Sequence, residues 1–264
     1  MSALKWIGAT LGWTLGGPIG AIIGLALGSL GDSMSDKGQL LGNGSADNQR
    51  KGQSKYKKQS KRKSQKQRRA ETSSGDFEVS LLVLASVVIK ADGKQEQSEL
   101  DFVRNKFVEL YGKDRANKAF KLFKKISSQN VSTRDVCNQI HDMMDHASRL
   151  QLVHFLFGIA KADGMVTDDE EDEIHRITNY LGISSRDYSS IKAMFYNSSD
   201  NAYKILEIDK TATVDQIKKA YRTMAKKYHP DRVEHLGEEH RKGAEEKFKQ
   251  VQTAYEFLQD ERRF

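Results

Sequence analysis

The sequence predicts an all-α protein, and three observations support this fold class. Beyond residue 76, apolar residues recur at steps of three and four, which is the spacing of one face of a helix. No stretch keeps the alternating pattern of a half-buried strand. The 264 residues include only two prolines, so little interrupts long helices. A chain of this length has room for about two small domains of roughly 100 to 150 residues each.

The first predicted element is a glycine-rich membrane helix within residues 1–31. From Trp6 to Gly31 the sequence carries no charge, and this run is long enough to cross a hydrocarbon core about 30 Å thick. Glycine recurs at every fourth position, a pattern that lets two membrane helices approach closely and predicts a homodimer. The stripe consists of Gly8, Gly12, Gly16, Gly20, Gly24 and Gly28.

Three other interpretations of this first segment stay open. A cleaved signal peptide is disfavoured, because its apolar region usually runs for only about 7 to 15 residues. A glycine-rich hairpin could enter one leaflet around Gly16-Gly17-Pro18. A disordered glycine-rich tail is the third alternative.

The second element, residues 32–75, is predicted to be a disordered linker, because it has almost no apolar surface to bury. Between Arg50 and Arg69 it holds eleven Lys or Arg residues and no acid. The positive-inside tendency then favours a single pass through the inner membrane with the C-terminal domains in the cytoplasm. A solvated, self-repelling linker is the alternative. Tyr56 is the only aromatic residue in this segment, so no specific nucleic-acid partner is predicted.

The third element, residues 76–196, is predicted to be a bundle of about seven amphipathic helices. The single Cys137 excludes a disulfide framework and paired-cysteine zinc sites, which favours a reducing compartment. Because Cys137 lies at helical spacing from Ile140 and Met144, we expect it to be a core thiol.

An internal repeat lies within this bundle. Lys90-Ala91-Asp92-Gly93 returns 71 residues later as Lys161-Ala162-Asp163-Gly164. Glu99 and Glu170 each follow seven residues after the aspartate. Asp-Gly predicts a turn, and each glutamate then falls in the first turn of the next helix, where Thr167 and Glu170 have the spacing of a capping box.

These residues resemble the TerB-like domain, an all-helical module thought to bind metal through acidic residues near such turns. If the two copies face each other, a divalent cation could take oxygen ligands from Asp92, Glu99, Asp163 and Glu170. The alternative is that Asp-Gly simply makes a turn and the glutamates complement helix dipoles. The alternating ligands of an EF-hand are absent.

The fourth element, residues 200–264, is predicted to be a short helix followed by an antiparallel helical hairpin. Thr213 and Gln216 have capping-box spacing and open the first long helix. Pro230 must end that helix at His229, because it disfavours α conformation in the preceding residue. One face of this helix is basic and carries Lys218, Lys219, Arg222, Lys226 and Lys227.

Four ordered blocks in this element look like a J-domain. They are Ala-Tyr-Lys-Ile-Leu, Ile-Lys-Lys-Ala-Tyr-Arg, Lys-Tyr-His-Pro-Asp and Ala-Tyr-Glu-Phe-Leu. The resemblance implies that His229, Pro230 and Asp231 dock on a DnaK-type ATPase and that the basic face meets an acidic surface of that partner. A membrane helix, a TerB-like bundle and a C-terminal J-domain form the arrangement of the DjlA family of membrane-anchored DnaJ-like proteins.

The sequence therefore predicts a co-chaperone that stimulates the ATPase of a DnaK-type partner. It shows no phosphate loop, nucleophile elbow or His-Glu metal helix, so we expect no catalytic residues and no required cofactor. The alternative function is a metal-responsive, stress-linked binding module in which the J-domain is an accessory.

Overall fold

The computed structural model describes residues 17, 19–23, 74–91, 93, 97–162, 164–196 and 200–264. Over these residues the secondary structure is helical, with no strand, which confirms the predicted all-α class. The helices are α1 (Ser74–Val88), α2 (Gln97–Ser127), α3 (Thr133–Met143), α4 (His146–Ala160), α5 (Asp168–Tyr180), α6 (Ser185–Ala193), α7 (Asn201–Ile205), α8 (Val214–Lys227), a 3-10 helix (Pro230–Leu236) and α9 (Glu238–Arg262).

Helix α2 consists of two arms that meet at Gly112, whose backbone is not helical (φ 78°, ψ 164°). Glycine adopts this left-handed φ without a Cβ clash. The second arm runs alongside α1, because Arg115 Nη2 lies 2.7 Å from Glu78 Oε2 near one end and Gln129 O lies 3.5 Å from Lys90 Nζ near the other. Counting the two arms separately gives the seven helical rods predicted for the bundle.

The core of the bundle forms around α1 and α4. Helix α1 buries almost every side chain from Phe77 to Val88, as expected for a helix surrounded by other helices. Cys137 is fully buried, and burial followed by the charge of Glu173 raises its pKa to about 12. The predicted core thiol is therefore confirmed, and its high pKa makes it unreactive at neutral pH.

Side-chain caps fix where several helices begin. The predicted capping box at Thr167 and Glu170 is present, as is the one at Thr213 and Gln216. Each such box satisfies two backbone N–H groups that the helix leaves without partners. The helix predicted to stop before Pro230 ends at Lys227, and α1 begins at Ser74, two residues before the predicted start of the bundle.

Only a short piece of the N-terminal segment is described. Ile19 N donates to Gln139 Oε1 at 2.9 Å, and three isoleucines are buried against the bundle: Ile19, Ile22 and Ile23. Gly20 belongs to this piece, whereas the other five glycines of the stripe lie outside the described residues, as do residues 32–73. Among the described residues, no helix has both the length and the apolar character needed to cross a membrane.

The C-terminal hairpin consists of α8 and α9 with α7 packed beside α9. Tyr221 and Tyr255 stack across the hairpin with ring centroids 4.2 Å apart. Ile217, Met224, Val251 and Leu258 are buried between the helices, in agreement with the predicted antiparallel hairpin. The hairpin therefore forms a rigid support for the residues between α8 and α9.

Candidate functional site

The loop after α8 is held by its own hydrogen bond and a ring contact. His229 Nδ1 accepts from the backbone N–H of Asp231 at 3.3 Å, and Pro230 is the first residue of the 3-10 helix. The His229 ring meets the Phe248 ring edge-on at 5.7 Å. These contacts fix the direction of the loop, while the side chain of Asp231 stays 76% exposed and that of His229 49% exposed.

An open cavity of about 430 Å³ lies beside this loop. Its lining residues are Ala225, Lys226, His229, Asp231, Arg232 and Phe248. The cavity combines an aromatic wall with cations and one carboxylate. It can therefore accept an apolar side chain while Asp231 forms a charge-assisted hydrogen bond with a cation of a partner.

The structure divides the five predicted basic residues of α8 into three groups. Lys219, Arg222 and Lys226 are exposed, and Lys226 lines the cavity beside the loop. Lys218 is partly buried, with its ammonium 5.3 Å from the centroid of the Phe264 ring. The exposed cationic face therefore consists of fewer residues than the sequence predicted.

The prediction of a five-residue basic face is wrong for Lys227, which forms ion pairs within the protein. Its Nζ lies 2.6 Å from Asp187 Oδ1 of α6 and 2.6 Å from Glu207 Oε1. Burial disfavours the ammonium charge, but hydrogen bonds to these two carboxylates outweigh burial and raise the pKa of Lys227. Lys227 therefore holds the hairpin to the bundle, an outcome that a helical-spacing argument could not reveal because its partners lie on other elements.

The hairpin and the bundle meet along a surface that we call the interdomain seam. Lys227, His235, His240, Gly243 and Lys247 approach it from the hairpin side. His235 Nε2 lies 3.1 Å from Ser148 Oγ, and His240 Nε2 lies 2.7 Å from Tyr111 Oη. Both contacts join the C-terminal residues to the bundle.

Helix α9 approaches α4 closely at Gly243. A Cβ at this position would lie 2.5 Å from Gln151 Nε2. Gln151 Oε1 in turn accepts a hydrogen bond from Lys247 Nζ, and Lys247 is only 2% exposed. Burial lowers the pKa of Lys247 to about 7, against the opposing charge of Glu246.

Two histidines at the seam also have depressed pKa values. His240 is 1% exposed, and burial, followed by the charges of Arg115 and Lys247, lowers its pKa to about 4. His154 Nε2 is enclosed without a hydrogen-bond partner among the described residues. Burial and the nearby Lys247 hold the pKa of His154 well below its usual value. The seam therefore favours the neutral forms of these bases.

Sequence reasoning did not identify the seam, although one signal was available. His240, Ala244, Lys247, Val251, Ala254 and Leu258 follow one another at steps of four and three. A lysine and a histidine on an otherwise apolar helical stripe indicate a buried polar contact.

The predicted metal ligands are only partly described. Asp92 and Asp163 lie outside the described residues, while Glu99 and Glu170 are each 5% exposed. Glu170 Oε2 accepts from both Thr167 N and Thr167 Oγ1 at 2.8 Å, so this oxygen serves the capping box. Where the structure describes the chain, no group of three or more His, Cys, Asp or Glu side chains forms a metal-binding cluster.

Comparison with protein families gives three matches along the chain. Residues 1–54 match the co-chaperone DjlA transmembrane domain, residues 78–193 match the tellurite resistance protein TerB, and residues 201–263 match the DnaJ domain. The three matches follow the order found in a DjlA-like protein. The matches to TerB and DnaJ agree with the two described helical units, and the predicted resemblance is confirmed.

The DjlA-like chain also resembles curated proteins over its J-domain. It is 57% identical over 61 residues to the chaperone protein DnaJ of Lactococcus lactis subsp. lactis, which covers 23% of this chain and 14% of that protein. It is 50% identical over 58 residues to the DnaJ of Fusobacterium nucleatum (22% and 15%) and 53% identical over 58 residues to that of Thermoplasma acidophilum (22% and 15%). The chain thus matches about one seventh of the length of these relatives. No solved structure matches the chain.

These matches support a J-domain co-chaperone with a membrane anchor. In the DjlA-like chain the loop His229-Pro230-Asp231 lies at the exposed end of the J-domain. The interdomain seam lies on residues that flank this loop, so the bundle supports the J-domain without covering Asp231.

Proposed function

We propose that this DjlA-like chain recruits a DnaK-type chaperone and stimulates its ATPase through the loop His229-Pro230-Asp231. The carrying observation is the exposure of Asp231 at the tip of a rigid hairpin, beside the cations of α8. The J-domain supplies no catalytic group of its own. It acts by binding a partner in which hydrolysis takes place.

Each part of the loop has a separate role in this proposal. The Asp231 carboxylate forms a charge-assisted hydrogen bond with a cation of the partner. Pro230 restricts the backbone before binding, so less conformational entropy is lost when the partner binds. The ring contact between His229 and Phe248 fixes the loop against α9. Lys219, Arg222 and Lys226 attract an acidic surface and raise the association rate more than the final affinity.

A single-turnover ATPase assay with a DnaK-type protein and the full chain in nanodiscs tests this function. We expect native protein to accelerate hydrolysis and His229→Gln to abolish the acceleration. His141→Gln is the matched control, since His141 is an exposed histidine of the bundle far along the chain from the loop. Equal acceleration by native protein and His229→Gln would contradict the proposal.

We further propose that recruitment takes place at the cytoplasmic face of the inner membrane. The match of residues 1–54 to the DjlA transmembrane domain supports an anchor, and the eleven cations between Arg50 and Arg69 favour a cytoplasmic position for the bundle and the J-domain. Protease added to the outer face of intact spheroplasts should leave the J-domain intact. If the J-domain is digested under those conditions, it lies on the outer side of the membrane and the proposed topology is wrong.

The TerB-like bundle could in addition bind a divalent cation, and this is our second proposal. Glu99 and Glu170 occupy equivalent repeat positions and are equally buried. The capping hydrogen bonds of Glu170 use Oε2 and do not use Oε1. Calcium or magnesium should raise the melting temperature of native protein but not that of Asp92→Asn with Asp163→Asn. If neither cation changes the melting temperature of native protein, the proposal is contradicted and the acidic residues serve only as helix caps.

A further inference from the structure

The second arm of α2 carries a strongly basic surface. Residues 113–125 include six Lys or Arg and only one acid, Asp114. Lys113, Lys121 and Lys124 are exposed and form no ion pair within the part of the chain that the structure describes. The Lys124 ammonium lies 5.4 Å from the centroid of the Phe120 ring, which is half-buried and stacks on Phe123. Cations and an aromatic edge thus share one face.

The opposite charge is concentrated elsewhere on the bundle. Residues 168–173, at the start of α5, are six consecutive acids. Helix α1 packs against both α2 and α5. The strongly basic run and the strongly acidic run of the bundle are thus carried by different helices. Such a separation orients a protein near a charged surface.

The basic arm begins beside the point where the tether from the membrane reaches the bundle. Arg115 lies near the start of the arm and donates a hydrogen bond of 2.7 Å to Glu78 Oε2. Glu78 belongs to the first turns of α1, which begins at Ser74. The match to the DjlA transmembrane domain ends at residue 54. The predicted membrane helix ends earlier, at residue 31, so 42 residues of chain, spanning at most about 150 Å, separate it from α1. Linkage at this distance raises the effective concentration of the bundle at the membrane surface.

We propose that the second arm of α2 is a membrane-facing surface that binds anionic phospholipid headgroups. This inference goes beyond recruitment of a chaperone and rests on the membrane anchor. Each lysine close to an anionic bilayer shifts a binding equilibrium by about fivefold. Several lysines therefore suffice to hold the bundle on the bilayer with α5 facing away. The basic run from Arg50 to Arg69 draws the intervening chain to the same headgroups.

Energy transfer in nanodiscs tests the orientation of the full chain. In a Cys137→Ser background, a fluorophore is placed by Ser128→Cys at the end of α2 or by Asn179→Cys near the end of α5. The acceptor is a headgroup-labelled lipid in discs of phosphatidylcholine alone or with one-third phosphatidylglycerol. Transfer from position 128 should rise about threefold with the anionic lipid and fall again in high salt, while position 179 stays unchanged.

Charge-reversal variants distinguish a lipid-binding surface from a basic surface that is merely solvated. Lys121→Glu with Lys124→Glu should abolish the rise, whereas the control, Lys242→Glu with Lys249→Glu on exposed positions of α9, should retain it. Melting temperatures verify that both variants fold, and flotation verifies that both remain anchored. Equal transfer in neutral and anionic discs, or a rise that survives the Lys121 and Lys124 reversals, overturns the proposal. Binding of single-stranded RNA without a response to anionic lipid would overturn it equally.

Discussion

Basic side chains stand on two sides of the J-domain, and their surroundings are opposite. Along α8, Lys219, Arg222 and Lys226 are exposed, with Lys226 beside the loop at the tip. At the seam, Lys247 and His240 are almost fully buried against the bundle. Exposed cations cost little to keep and can steer a partner. Buried bases oppose the docked arrangement whenever they are charged. The tip is therefore suited to association, and the seam responds to protonation.

Asp187 offers the most severe way to break the seam. It is 4% exposed and pairs with Lys227 at 2.6 Å, and it also accepts from Ser184 Oγ at 2.7 Å. Asp187→Ala removes the partner of Lys227 in the bundle, and only Glu207 then remains to pair with this lysine, so the free energy of unfolding should fall by about 3 kcal/mol. Urea denaturation of the full chain measures this loss.

Two aspartates provide the controls for that experiment. Asp172→Ala, at an exposed position of α5, should change stability by less than about 0.5 kcal/mol. Asp231→Ala, at the tip, should leave stability equally unchanged while ATPase stimulation disappears. A loss below about 1 kcal/mol for Asp187→Ala would mean that the ion pair does not hold the two domains together.

Acid should weaken the seam through His240. Its pKa is about 4 in the folded chain and about 6.5 when exposed, so protons favour the separated or unfolded state. The contribution is complete above about pH 6.5 and is lost as the pH falls toward 4, by about 3 kcal/mol. Phe77, Tyr111, Arg115 and Lys247 face the ring and offer it no carboxylate partner.

The difference between native protein and His240→Gln isolates this effect from other titrating groups. His154 acts in the same direction and remains in both proteins, so native protein should lose more stability between pH 6.5 and pH 4. His141→Gln, at an exposed position, should follow the native curve. Parallel curves for native protein and His240→Gln would show that this histidine does not couple the seam to pH.

Lys247 should destabilise the seam in its native form. Because its pKa is about 7 in the folded chain and about 10.4 in solution, the separated state binds the additional proton. Stability should therefore rise from pH 7 toward pH 10 and gain nothing from this group below pH 7. Lys247→Met should remove that rise and add about 2 kcal/mol at pH 7. Lys249→Met, on the exposed side of α9, should do neither.

The sequence was informative about this protein where local chemistry decides the structure. Capping spacing at Thr213 and Thr167, the helix stop before Pro230 and the core position of Cys137 all depend on near neighbours in the chain, and all are confirmed. The role of Lys227 depends on Asp187, forty residues away and on another domain. Helical spacing places Lys227 on the basic side of α8 but says nothing about what packs there.

The smallest effect concerns the close approach of α9 to α4 at Gly243. Alanine normally stabilises a helix over glycine by about 1 kcal/mol. Here its Cβ would meet Gln151 Nε2 at 2.5 Å, so Gln151 must move away from the hydrogen bond with Lys247. Losing that bond at a buried amine costs about 2 kcal/mol, so Gly243→Ala should destabilise native protein by about 1 kcal/mol. In a Lys247→Met background no such bond exists, and the same substitution should stabilise by about 1 kcal/mol. A double-mutant cycle of the four proteins measures this change of sign, and additive effects would show that Gln151 and Lys247 are not coupled.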